Sequence, residues 1–441
     1  MNKFYKKINS FQIILLGFIV VVLIGSLLLM LPIASRSGEV TPFRDTSFTA
    51  VSAVCVTGLV VKDTAMHWSV FGQAIILVLI QIGGLGVVSV ASAFAILMGK
   101  RIHLKSRSIM QSAISAPKVG GIVRITKFIL KLTIIVELAG AIAMMPTFCS
   151  KFGAKGVWMA IFHSISAFCN AGFDIMGSSK GEFVSLTDFA ANPVINIVIM
   201  TLIVVGGIGF LVIHDLKENK FRIKRYSLQT KIVLSTTAAL IIIPAVILFL
   251  SQYGDLPLGK RILASMFQSI TPRTAGFNTM DLGKLSQGNK VVTIMLMLVG
   301  GSPGSTAGGM KTTTIAILLV NAFCVLKRSS ETEVFKRRIE VEAIRTASAL
   351  LFFYVVMFTI CSALISSIEG IAIGKCMFEV ASAIGTVGLS LGITTQIGTI
   401  SRVILMILMF LGRVGGFTII FAAITKSGNY SKMPKENVIV G

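Results

Sequence analysis

Acidic residues are scarce in this chain. Asp and Glu number 18 among 441 residues, against 41 Lys and Arg, and charged residues of both signs make up only 13%. Soluble domains carry about 25%, so a water-exposed globule is excluded. Cysteine is also little used. The six residues Cys55, Cys149, Cys169, Cys324, Cys361 and Cys376 form no CxxC pair, and an isolated Cys in an apolar run acts as a small hydrophobe. Neither a disulfide framework nor a thiolate metal centre is expected. His67, His103 and His214 lack ligand spacing, and His163 is expected to cap or pack a helix. No nucleophile–base pair and no cluster of metal ligands is present, which argues against an intramembrane enzyme. The chain shows no ATP-binding P-loop, so any nucleotide control would have to come from a partner.

Long apolar runs fill the space these absences leave. Mean hydropathy is +0.87, and stretches such as Phe11–Pro32, Phe71–Met98, Ile195–Ile213 and Val403–Ile424 are each long enough to cross a bilayer core of ~30 Å as a helix. The run before Pro32 is too long for a signal-peptide core and no small-residue cleavage site follows it, so it reads as the first span. The excess of 23 positive charges would suggest nucleic acid in a soluble protein. Here it follows the positive-inside rule. The N-terminus "MNKFYKK", the loops "GKRIHLKSR", "KENKFRIKR" and "LKRSSETEVFKRR", and the tail with Lys426, Lys432 and Lys435 belong to segments holding 24 Lys and Arg, against 12 in the longer segments between them. Both termini are expected in the cytoplasm of a multi-pass plasma-membrane protein, and no nucleic-acid partner is expected.

A short glycine-centred segment recurs four times: "SAVCVTGLV", "SAFCNAGFD", "PRTAGFN" and "SAIGTVGLSLG". Their glycines, Gly58, Gly172, Gly276 and Gly388, are spaced 114, 104 and 112 residues apart. Ten residues before each stands Phe48, Phe162, Met266 (with Phe267 beside it) or Phe378. Six residues before stands Ser52, Ser166 or Ser382, each followed by Ala; the third repeat departs, with Ile270 and Thr271. A second glycine cluster follows at "IGGLG", "VGGIG", "VGGSPG" and "LGRVGG", displaced in the second repeat by an insertion around "IMGSSKGEFVSL". Four repeats emerge over 1–105, 106–222, 223–338 and 339–441. Each is a span, a short helix too short to cross, the glycine segment (loops at about 43–60, 157–174, 261–278 and 373–390) and a second span. The fold class is thus all-α and polytopic, with eight transmembrane helices, four pore helices and a pseudo-fourfold axis.

Non-helical backbone at membrane depth survives only when buried in protein or lining a water-filled cavity. One such glycine segment would read as helix packing; four at near-constant spacing read as one pore. The expected filter is Val56, Thr57 and Gly58; Asn170, Ala171 and Gly172; Thr274, Ala275 and Gly276; and Thr386, Val387 and Gly388. None carries a carboxylate, so the ring is neutral and acts through backbone carbonyls, as potassium-channel filters do. Below it, the stretch from Asn289 to Val325 would reach ~55 Å as one helix, yet "GGSPGSTAGGMK" interrupts it. Gly300, Gly301, Ser302, Gly304, Ser305, Thr306, Gly308 and Lys311 are expected to form a mobile gate loop together with Arg413, a charge whose place in a span marks it as functional. Glu137, also within a span, is expected to meet Lys131 or a backbone donor.

On "VTGL", "FHSISAFCNAGF", "FQSITPRTAGF", "SAIGTVGL", "QIGGLG", "GGIGF" and "GRVGG", the chain resembles the Trk/Ktr/HKT superfamily of cation transporters, most closely the bacterial Ktr-type membrane subunit. The resemblance spans nearly the whole chain. It implies four span–pore loop–span units around one K⁺ pathway, a homodimer, and a cytosolic nucleotide-binding regulatory ring that controls opening. In the family a serine at the first filter position accompanies Na⁺ preference. Gly58 stands there, which points to K⁺. Na⁺ as an activator is left open, and a secondary carrier of Na⁺ or a small solute is the alternative, though inverted repeats and charged substrate ligands expected of one are not seen.

Overall fold

The computed structural model describes residues 10–98, 104–114, 120–178, 181–220, 222–329 and 331–415. The basic residues Lys100 and Arg101, the N-terminal "MNKFYKK", the tail and the last glycine of "GRVGG" lie outside them. Among the described residues, four helices are long and apolar enough to cross a membrane: Phe11–Leu29, Ile122–Phe152, Leu228–Ser251 and Val341–Glu369. Each opens a repeat and is followed by a short helix and a glycine segment.

The first expected repeat contains α1 (Ser10–Leu29), α2 (Phe43–Val54), α3 (Thr64–His67), α4 (Val70–Leu85) and α5 (Val87–Leu97), and α6 (Leu104–Ile114) straddles its expected boundary with the second at 105. The second contains α7 (Ile122–Phe152), α8 (Lys155–Phe168), α9 (Pro193–Ile208) and α10 (Phe210–Asn219). The third contains α11 (Leu228–Ser251), α12 (Leu258–Ile270), α13 (Gln287–Leu298) and α14 (Thr312–Leu326), and the fourth α15 (Val341–Glu369), α16 (Ile373–Ile384) and α17 (Thr399–Val414). A hairpin of two-residue strands, β1 (Glu333–Val334) and β2 (Arg337–Arg338), joins the last two repeats.

The helices sort by what covers them. Leu16, Val20, Leu23, Ile24 and Leu27 of α1 are exposed, as are Ile134, Ile135, Leu138 and Ile142 of α7. Such stripes are costly in water and are the lipid-facing sides of spans. The short helices are the reverse: Phe48, Phe162, Phe267 and Phe378 are fully buried. These four are the aromatic residues of the repeat pattern, Phe267 standing in for its neighbour Met266, and they seat α2, α8, α12 and α16 inside the ring of spans.

The second spans differ from the sequence expectation in one respect. Read by hydropathy they run on to Met98 and Ile213. Instead α4 and α5 meet at a bend of 98°, and α9 and α10 at 94°. Gly86 and Gly209 sit at these corners with φ of 83° and 102°, and Gly415 ends α17 at 86°. A side chain is strongly disfavoured in that conformation. The residues beyond each glycine stay apolar, so composition alone shows no break. The second glycine clusters serve a close approach just above: a Cβ on Gly83, Gly206 or Gly412 would strike the carbonyl oxygen of Val54, Phe168 or Ile384, at the end of that repeat's own pore helix.

Candidate functional site

The four glycine segments share one backbone. Each pore helix ends and the chain turns left-handed at Val56, Asn170, Thr274 and Thr386, with φ of 57°, 58°, 74° and 52°. Two residues later it does so again at Gly58, Gly172, Gly276 and Gly388, with φ of 89°, 67°, 85° and 95°. Alternating the sign of φ turns successive carbonyls toward one side of the strand rather than to opposite sides. Valine and threonine are unusual in this region, so the fold has to hold them there. It does so through the serine of the repeat pattern. Thr57, Ala171 and Val387 each donate their N–H at 2.8 Å to the carbonyl of Ser52, Ser166 or Ser382. The hydroxyls of Ser52 and Ser382 accept from Gly58 N at 3.1 Å and Gly388 N at 3.0 Å, while Ser166 Oγ donates to Phe173 O at 2.7 Å. In the divergent third repeat Thr271 takes over, its Oγ1 donating to Phe277 O at 2.6 Å.

The segments close into a ring. A Cβ on Gly58 would strike the Ala171 carbonyl oxygen, one on Gly172 that of Ala275, one on Gly276 that of Val387, and one on Gly388 that of Thr57. Each segment thus leans on the next in chain order and the fourth leans on the first. All twelve residues of the expected filter are brought together. Outside the ring lies a cavity of about 350 Å³ lined by the four glycines with Asp174 and Asn278.

On the inner side the interrupted span of the third repeat folds under the ring. Gly300 N donates to Met310 O at 2.8 Å and closes the base of the loop, with Thr312 N donating to Gly301 O at 3.1 Å. Ser302 Oγ lies 3.0 Å from Thr312 Oγ1, and Ser305 Oγ donates to Ser302 O at 2.7 Å. The rest of the loop reaches outward. Ser302 N and Thr306 N donate to the Gly207 and Gly206 carbonyls at 2.9 and 3.1 Å, Phe210 N to Gly304 O at 2.8 Å, and Gly309 N to Gly412 O at 3.0 Å. Gly308 packs so closely under Thr386 that no side chain would fit. Arg413 ties the loop to the first repeat. Its guanidinium donates to the carbonyls of Thr306 and Gly83, and to Gly84 O at 2.9 Å. Lys311 Nζ donates to Ala307 O at 2.9 Å, within the loop itself. The loop therefore touches the second spans of the second and fourth repeats directly, and that of the first through Arg413.

Three charged residues fall differently from expectation or escaped it. Glu137 meets neither Lys131 nor a backbone donor through its carboxylate; Gln81 Nε2 donates to Oε2 at 3.3 Å. The reason is geometric, since Glu137 faces inward and is buried. Glu379, fully buried in α16, accepts from Ser390 Oγ at 2.9 Å and from Thr394 Oγ1 and so braces the outer loop of the fourth repeat. Its signal in the sequence is its position directly after Phe378, where the other repeats carry Thr49, His163 and Phe267. Asp174, two residues past Gly172, lines the outer cavity and accepts from Met176 N at 3.1 Å. His163 packs against Phe148 and Phe277, with Nδ1 2.8 Å from Met159 O.

The chain is similar to known proteins along almost its whole length. The chain matches the TrkH family, described as "Cation transport protein", over residues 3–433. It is 38% identical to the potassium/sodium uptake protein NtpJ of Enterococcus hirae, across 99% of this chain and 98% of that one. Identity to the Ktr system potassium uptake protein B of Bacillus subtilis is 36%, across 98% and 96%. The crystal structure of the potassium transporter TrkH from Vibrio parahaemolyticus superposes with a TM-score of 0.73 at 19% identity, covering 93% of this chain and 84% of that one, a likeness of fold. With the family matched along almost its whole length, the chain belongs to the TrkH family of cation transport proteins.

Proposed function

We propose that this protein takes up K⁺ across the bacterial plasma membrane through the four-loop ring, and that the loop Gly300–Lys311 with Arg413 closes the path beneath it. The closed order of contacts among the four glycine segments carries the reading: alternating φ brings neutral carbonyls to one axis, where they replace an ion's water shell. K⁺ rather than Na⁺ is favoured because Gly58 completes the set of four glycines with no side chain in the ring. The membrane potential drives entry, at ~2.3 kcal/mol per charge per 100 mV, about 50-fold accumulation. The named uptake proteins among the relatives support potassium as the cargo.

Arg413 supplies the electrostatic part of the gate. A guanidinium ~4 Å from a cation at an effective dielectric of ~20 repels it by about 4 kcal/mol. Opening withdraws the loop and swings Arg413 off Thr306, Gly83 and Gly84. The protein works as a homodimer with a cytosolic nucleotide-binding ring, the partner implied by the resemblance to Ktr-type systems, docking on the basic loops near Lys100–Arg107, Lys217–Arg225 and Lys327–Arg338, of which Lys100 and Arg101 lie outside the described residues; both termini are cytoplasmic. Na⁺ serves as an activator if uptake in its absence is slower. Rb⁺ uptake into liposomes reconstituted with this chain, with and without the ring, tests the reading. Saturable uptake that K⁺ suppresses and Na⁺ does not is expected. Uptake suppressed equally by both ions would overturn the K⁺ assignment.

A further inference from the structure

The residues that open the four filter segments carry more than backbone. Asn170, Thr274 and Thr386 are fully buried, and Asn170 Oδ1, Thr274 Oγ1 and Thr386 Oγ1 have no hydrogen-bond partner among the described residues. Leaving a buried polar atom unpaired costs about 1–3 kcal/mol, and three at one register of one ring is not a packing accident. In the first repeat Val56 holds this register and the next residue, Thr57, carries the orphaned hydroxyl. Two of the three residues meet the gate loop directly. Gly308 lies against Thr386 Oγ1, and Thr306 Oγ1 accepts from Asn170 Nδ2 at 3.1 Å. Gly308 is two residues from Thr306, a reach of at most ~7 Å, so the side chains of Asn170 and Thr386 meet the same short piece of loop.

Asn170 is the one member with two ends. Its carboxamide is a rigid plane: Nδ2 is spent on the gate loop and Oδ1 is left over. Thr306 is gripped from two sides, by Asn170 on its hydroxyl and by Arg413 on its carbonyl, and its own hydroxyl donates to Phe168 O at 2.9 Å.

We infer that Asn170 Oδ1, Thr274 Oγ1 and Thr386 Oγ1 form a side-chain cation site at the inner end of the filter, and that the Asn170–Thr306 hydrogen bond latches the gate loop to that site. The site takes a weakly hydrated monovalent cation, since it offers neutral oxygens only. A cation on Oδ1 polarises the carboxamide and strengthens Nδ2 as a donor, so an ion waiting there tightens the latch. Withdrawing Thr306 frees Asn170 to turn, weakens the site and lets the ion leave inward. The filter and gate thereby communicate through one hydrogen bond. The inference rests on the uptake reading above and adds the residues through which ion occupancy and gating communicate.

Two measurements test it on the full chain. The first is thermal stability in detergent as a function of K⁺ concentration. Thr274→Val and Thr386→Val replace an orphaned hydroxyl with a methyl of the same shape. Without K⁺ these variants should match or exceed the parent's Tm, because a buried unpaired group has gone. With K⁺ they should gain less, the half-maximal concentration rising about fivefold. The second is Rb⁺ uptake by proteoliposomes lacking the partner. Thr306→Val and Asn170→Ala should each raise it severalfold, as one latch bond is lost, and Asn170→Ala should also shift the K⁺ thermal response. If both threonine variants keep the parent's K⁺ response, the hydroxyls are packing groups and the site is wrong. If Thr306→Val takes up Rb⁺ at the parent's rate, the latch is wrong. A parent that shows neither K⁺-dependent stabilisation nor Rb⁺ uptake would sink the uptake reading itself, an outcome distinct from either.

Discussion

The outer and inner halves of the proposed pore are built on opposite plans. The outer half is near-fourfold: four segments with matching φ values lean on each other in cyclic order. The inner half is lopsided. One repeat supplies the loop Gly300–Lys311, another supplies Arg413, the first offers the Gly83 and Gly84 carbonyls, and the second offers carbonyls together with Phe210 N and Asn170 Nδ2. On the proposed function the difference has a reason: an ion's water shell is replaced on all sides at once, so every repeat contributes to the ring. A path needs blocking at only one point, so a single interrupted span suffices below it. The divergence of the repeats follows that division: "GGSPGSTAGGMK" and Arg413 have no counterparts in the other repeats, whereas the ring glycine is present in all four.

The sharpest way to break the comparison is to remove the inner half. Deleting Ser302–Gly308, or changing Arg413 to Ala, should raise partner-free K⁺ flux by one or more orders of magnitude, bounded by the roughly thousandfold occupancy that about 4 kcal/mol represents. Flux in proteoliposomes checks this, and parental rates from folded variants would make the plug structural. Attacking the outer half should do something else. Gly58→Ser puts a Cβ against the Ala171 carbonyl and should lower K⁺ over Na⁺ discrimination about tenfold, read from Na⁺ competition against Rb⁺ uptake. An unchanged ratio would remove Gly58 from the filter.

A smaller effect is expected one step behind the ring. Glu379→Ala unties Ser390 and Thr394 from α16 and should reduce selectivity a fewfold, while Glu379→Gln, which keeps one acceptor, should recover most of it. Equal behaviour of the two variants would show that the carboxylate is not a brace. The smallest effect belongs to Glu137. Because its carboxylate meets Gln81 and Cys169 rather than the pore axis, Glu137→Gln should leave uptake within about twofold of the parent, and a larger drop would bring Glu137 into transport.

How much of this was legible in the chain depended on repetition. The glycine segments could be read because they occur four times at near-constant spacing, and because the phenylalanine ten residues earlier comes with them. The serine of "SAV", "SAF" and "SAI" was visible as a pattern, but its task was not, since bracing a left-handed turn leaves no compositional trace. The corners at Gly86 and Gly209 were hidden for a related reason: "VVSVASAF" and "FLVI" beyond them are as apolar as what precedes, and hydropathy has no term for direction. Glu379 was passed over because its partner Thr394 stands fifteen residues away, across the filter. Arg413 was conspicuous as a charge in a span, but its bonds to Gly83 and Gly84 cross 330 and 329 residues of chain, a distance no local pattern spans.

The claim that selection and closure reside in separate halves is tested most directly by measuring two quantities on the same preparations: K⁺ flux and the K⁺/Na⁺ selectivity ratio, for the Ser302–Gly308 deletion and for Gly58→Ser, reconstituted without the partner. The account predicts a crossed result. The deletion raises flux and leaves the ratio near the parent's, while Gly58→Ser lowers the ratio and leaves the closed pore closed. A deletion that conducts K⁺ and Na⁺ alike would contradict it, because the loop would then be part of the filter rather than the gate beneath it.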